Sequence, residues 1–91
     1  MPDKKDVRIV VLQRGWVFVG EFSQNGPQCT LTNGFNVRRW GTPGKGLGLL
    51  AQEGPQSETV LDPVPAVRFH ELTVVASLEC KEEAWKKTLS K

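Results

Sequence analysis

The sequence predicts a mainly β, single-domain fold: a small barrel or sandwich of the SH3-like or Sm-like meander kind, with a Gly-rich loop and a short C-terminal helix. Three observations carry this. Runs of β-branched and aromatic residues of strand length follow one another through the first half of the chain, divided by turn residues. Gly (9) and Pro (6) are about one residue in six of the 91, which implies many turns. Lys81–Leu89 closes the chain with Glu82–Lys86 and Glu83–Lys87 pairs at helical i,i+4 spacing.

The elements follow in order. Residues 1–6 are charged and read as a flexible N-terminus, residues 7–80 as the β domain and residues 81–91 as the short terminal helix. Val7–Gln13 is a strand, and Arg14-Gly15 is a tight turn. Trp16–Ser23 is a second strand with Trp16, Phe18 and Phe22 on one face and Val17, Val19 and Glu21 on the other. Gly20 in its middle marks a bend or bulge where a small barrel curls over. After the Asn25-Gly26-Pro27 turn, Gln28–Thr32 is a third strand, Asn33-Gly34 a hairpin turn and Phe35–Trp40 a fourth strand. Residues 41–48 carry four Gly and one Pro and fit no regular element. Leu47–Gln52 has room for a helical turn, Glu58–Leu61 for a short extended piece, and Asp62-Pro63 reads as a turn. Val64–Phe69 and Leu72–Leu78 are the last strands, and Trp85 and Leu89 share the docking face of the terminal helix.

Composition excludes several functions. A chain of 91 residues is one small domain, which buries about 60–65% of its unfolded surface, so oligomerisation is a common remedy. The net charge of +2 is too small to imply nucleic acid on its own. One His and two Cys leave little for catalysis or metal binding. Cys29 and Cys80 sit in apolar surroundings and read as buried free thiols, a disulfide between them being the alternative. No metal, no cofactor and no enzymatic activity are expected. The first residues lack the apolar core of a signal peptide, and no membrane contact is expected.

The informative segment is Asn36–Gly48. From Phe22 to Gln52 there is no acidic residue, while Arg38, Arg39 and Lys45 all fall there beside Trp40 and a run of Gly. Arg forks bind phosphate oxygens, Gly backbone approaches a ligand closely, and an indole stacks on a base. The candidate anion-binding residues are therefore Arg38, Arg39, Trp40, Thr42, Lys45 and Gly46, with Arg14, Trp16, Glu58, Thr59 and Asp62 as supporting candidates. The plain alternative keeps Trp40 and Trp16 as core residues, Asp62 as a turn initiator and the Gly run as a loop. Gly41–Gly46 does not have phosphate-loop spacing, and Gly46–Ala51 matches a dinucleotide fingerprint by letter only, because Gly54-Pro55 ends any helix too soon.

The blocks "RGWVFVG" (Arg14–Gly20), "VRRWGTPGKGLGLLA" (Val37–Ala51) and "GPQSETVLDP" (Gly54–Pro63) resemble a family of small tailed-bacteriophage proteins. That family carries RGWV-x-VG, R-x-WGT, GLG-x-LA and GP-x-x-ET-x-LDP blocks. The likeness covers residues 8–75, and this chain departs from the pattern in its longer, Gly-rich "GTPGKGLG" link. The resemblance implies a phage protein made in the host bacterial cytoplasm. It implies no activity and no catalytic residues.

The expected function is a non-enzymatic phage binding protein, a homo-oligomer that holds an anionic nucleotide, with sequestration of a host-defence signal as the role by analogy. A protein–protein module, either an inhibitor of a host protein or a virion assembly factor, is the first alternative. Single-stranded nucleic-acid binding is the second.

Overall fold

The computed structural model describes residues 6–42 and 46–89. Six strands form one antiparallel sheet: β1 (Val7–Leu12), β2 (Val17–Asn25), β3 (Gln28–Arg39), β4 (Val60–Val64), β5 (Val67–His70) and β6 (Val74–Glu79). Two short helices accompany them, α1 (Gly46–Glu53) and α2 (Glu82–Leu89). The strand order is β4-β3-β2-β1-β6, and β5 lies beside the first half of β3. No ladder joins β6 to β4 or β5 among the described residues, so the sheet curls toward a barrel but stays open.

The alternation in β1 builds two cores from one strand. Val7, Ile9 and Val11 face α1 and α2, together with Val17, Val19, Val37, Leu50, Trp85 and Leu89. Val10 and Leu12 face the other way, against Cys29, Leu31 and Phe69, with Phe18, Phe22 and Val74 packed alongside. The second cluster exists because the first half of β3, with β5, folds back over β1. Its hairpin tip is tied down where the Glu71 N–H donates to the Pro27 carbonyl at 2.8 Å. Phe22 and Phe69 meet at a tilted angle in this layer, and Arg8 lies 4.1 Å over the Phe22 ring.

The irregularity that the sequence predicts at Gly20 is a bulge whose extra residue lies opposite it, on β3. Val19 pairs with Phe35 and Glu21 with Thr32, so Gly20 alone opposes Asn33 and Gly34. That is a β-bulge, and it increases the local twist. The Asn33-Gly34 pair is therefore not a hairpin turn: β3 runs unbroken from Gln28 to Arg39, with Asn33 at φ 53° inside it. The same signal, a residue that tolerates positive φ followed by Gly, serves a bulge as well as a turn. Asp62-Pro63 is also not a turn. Both lie in β4, paired with Asn36 and Phe35. Pro is tolerated there because β4 is an edge strand.

The helices are short and held by tertiary contacts. In α2, Trp85 is fully buried and donates from Nε1 to the Ala51 carbonyl at 3.1 Å, so the helix docks on its own domain through Trp85 and Leu89. α1 extends to eight residues, longer than the expected turn, and buries Leu50 and Ala51. Ser90 and Lys91 of the expected helix, and residues 1–5 of the expected flexible start, lie outside the described residues. Asp6 is exposed and ion-paired with Arg8 at 2.9 Å. Among the described residues no helix is long and apolar enough to cross a membrane.

Candidate functional site

Helices cover one face of the β2–β3–β4 part of the sheet, and on the other face the second core reaches only as far as Phe18. Strand alternation places Trp16 and Phe18, Asn36 and Arg38, and Asp62 on that second face. Phe18 pairs with Asn36, and Asn36 pairs with Asp62, so the three lie in one row across the strands. The β2–β3 pairing ends at that row, and Trp16 and Arg38 each lie two residues beyond it at the same end of the two strands.

Trp16 is 57% exposed. It does not take the half-buried core position that a strand-start Trp favours. Its ring stacks on Phe18 with centroids 6.2 Å apart and planes 7° from parallel. One indole face is thus supported by Phe18, which itself leans on the second core. A cation–π contact is made by Arg8 over the Phe22 ring. Arg14 has φ 69° in the 3-10 turn Gln13–Gly15 and is exposed.

The acid-free stretch of sequence is not acid-free in space, because β4 and the segment before it bring carboxylates to it. Arg38 Nη1 lies 3.3 Å from an Asp62 carboxylate oxygen. Arg39 Nη2 lies 3.8 Å from a Glu58 oxygen. Both pairs are more than 40% exposed on each side, so they exchange readily with water or with a ligand. A bulge between Val37 and Arg39 separates the two arginines' surroundings. Trp40 is 44% exposed.

The remaining candidates hold the chain together. Thr59 Oγ1 donates to the Trp40 carbonyl at 2.7 Å and accepts from the Gln56 N–H at 2.8 Å. Gly41 has φ 70°, and a Cβ there would run into the backbone of Glu58 and Thr59. Thr42 is buried, and its Oγ1 donates to the Gly46 carbonyl at 2.8 Å while the Gly46 N–H returns to the Thr42 carbonyl at 3.2 Å. Lys45 lies outside the described residues. The structure thus brings Trp16, Arg38 and Asp62 to one face, with Arg39, Trp40 and Glu58 at its margin. Thr42, Gly46 and Thr59 shape the loops behind. Phe18 and Asn36 complete the face. The alternation that grouped Trp16 with Phe18 was the signal for the first of these, and Asn36 opens the segment Asn36–Gly48 that the sequence singles out.

His70 and the two cysteines are in structural positions. His70 Nδ1 accepts from the Leu72 N–H at 3.0 Å, capping the 3-10 turn Glu71–Thr73. Cys29 and Cys80 are free and buried, one in each core, which answers the question of a bridge between them. Burial pushes the Cys80 thiol up to about 12. Cys29 is raised for the same reason, with the charge of Glu71 adding to the effect. Among the described residues no three His, Cys, Asp or Glu side chains gather as a metal site. The chain matches no protein-family model, and no curated protein matches it either.

Proposed function

We propose that this chain is a non-catalytic binding protein, phage-encoded and homo-oligomeric, that holds an anionic nucleotide-class ligand on the sheet face that carries Trp16 and Arg38. The observation that carries the reading is Trp16: exposed, backed by Phe18, and at the same end of the β2–β3 pair as Arg38. A base stacks on the free indole face, a contact worth about 1–3 kcal/mol by alanine substitution in stacking sites. The Arg38 fork takes a phosphate, and Asp62, released from Arg38, accepts from a ribose hydroxyl. Sequestration of a nucleotide signal in the host bacterial cytoplasm is the role that needs binding and no chemistry.

The test is a thermal-shift and tryptophan-fluorescence panel of mono-, cyclic di- and trinucleotides and ADP-ribose derivatives. A ligand at 100 times its dissociation constant contributes about 2.7 kcal/mol, a rise of about ten degrees or more for a domain this small. Trp16→Ala and Arg38→Ala are each expected to weaken binding at least tenfold, and Arg39→Ala less, since Arg39 lies beyond the bulge. A flat panel removes the reading.

One observation favours a second reading. Each arginine already faces a carboxylate, so the face is an aromatic centre flanked by mixed charge and not a cationic patch. Trp and Arg are the side chains that dominate protein–protein contacts. A host-protein partner would then replace the nucleotide, and Trp16→Ala would abolish its capture.

A further inference from the structure

We infer that the free edge of β6 is the interface through which two copies of this chain pair, antiparallel about a two-fold axis at Ser77. This names the contact for the homo-oligomer proposed above and rests on that part of the reading, not on its ligand.

The backbone shows which groups β6 has to offer. The Cys80 N–H donates to the Val7 carbonyl at 2.9 Å, so Val7 and Cys80 form a hydrogen-bonded pair. Ile9 pairs with Leu78, and Val10 with Ser77. Bonded and non-bonded pairs alternate along an antiparallel ladder. Leu78 and Ala76 therefore bond to β1, while the N–H and C=O groups of Ser77 and Glu79 point away from it. β6 ends the strand order, with β1 its one neighbour among the described residues. Val75, Ala76 and Ser77 are all exposed, Val75 at 67%.

The two edges of the sheet are treated differently. At the far edge, β4 carries Pro63, which has no N–H to give, and the ion-paired Asp62. These are the devices that keep an edge from pairing. The β6 sequence VVASLE has no Pro and no Lys, its single charge is Glu79 at the end, and its bulge at Val75 leaves Ala76–Glu79 as a regular edge. An open edge of this kind is completed by another strand.

The occupant follows from self-complementarity. With Ser77 on the axis, Ser77 faces its own copy and Ala76 faces Leu78, while Glu79 comes opposite Val75, the extra residue of a bulge against Val11 and Leu12. Small meets large, and no charge meets its like. An isologous contact needs this property, whereas an unrelated strand does not. A copy is also present at whatever concentration the chain itself has.

The test measures the mass of the full chain by light scattering at several concentrations, then that of two variants. Wild type is expected at about twice 10.1 kDa. Ser77→Lys and Ser77→Glu each place like charges across the axis and are expected to run as folded monomers, with the circular dichroism of wild type. Mixed in equal amounts, they are expected to recover the dimer. A monomeric wild type overturns both the homo-oligomer and this interface. A wild-type oligomer whose mass both variants retain, or one larger than a dimer, overturns the β6 interface alone. Variants that are monomeric but do not pair when mixed overturn the two-fold register at Ser77.

Discussion

At Gly34 the fold tolerates no side chain. A Cβ there would lie 2.9 Å from the Val19 carbonyl oxygen, and the backbones of Gly20 and Gly34 close on each other across the bulge. Gly34→Ala therefore forces the two strands apart at the β3 bulge. The expected cost is about 1–3 kcal/mol, the usual range for overpacking, seen as a lower midpoint in urea. Asn33 beside it holds φ 53°, and its Nδ2 donates to Glu21 and to the Leu89 carbonyl at the end of α2. One residue thus joins the bulge to the terminal helix. The buried thiols act at this scale too. Cys80 ionises near 12 in the folded state but in the ordinary thiol range, about 8.5, once unfolded. Between those values the folded state binds more protons, so stability is intact below the lower value and falls as pH rises toward the upper. Urea midpoints are expected to be level from neutral pH to about 8.5 and then to decline, and Cys80→Ala, whatever its cavity costs, is expected to shallow that decline.

At the scale of the element, α2 depends on Trp85. The helix has eight residues, too few to persist alone, and its indole is fully buried with its N–H on the Ala51 carbonyl. Trp85→Ala should cost about 3–5 kcal/mol, a large part of the stability of a domain this size. Trp85→Phe keeps most of the packing and removes one of the two hydrogen bonds to the Ala51 carbonyl, which still accepts from the Lys81 N–H, for about 0.5–1.5 kcal/mol. Chemical denaturation of the two variants separates packing from the hydrogen bond. This docking face was legible in the sequence because Trp85 and Leu89 are one turn apart amid charges. β1 and β2 were legible for the same kind of reason: their alternation needs only neighbours in the chain. β3 and β4 were not, because Asn33-Gly34 and Asp62-Pro63 are turn signals that a bulge and an edge strand also accept. Nor could the carboxylates of Asp62 and Glu58 be placed against Arg38 and Arg39, which lie some twenty residues earlier in the chain, without the β3–β4 register.

Over the whole molecule, β1 is the strand that both cores share. Ile9 and Val10 are each fully buried, on opposite faces and in different clusters, and β1 is paired along both edges by β2 and β6. Opening β1 dismantles both cores at once, whereas β4 or β6 can leave from an edge. Native-state hydrogen exchange should therefore find its slowest amides at Ile9, Val10 and Val11, with opening free energies equal to global unfolding. The edges carry the discriminating part. The Ser77 and Glu79 amides point away from β1, so in a monomer they exchange with the freedom of solvent-facing groups. In a β6-paired dimer they donate across the axis, and their protection should rise with protein concentration while that of Val60 on the opposite edge does not. Slow exchange at Ser77 that ignores concentration would mean that something within the chain covers the edge. Fast exchange at every concentration would mean that nothing does.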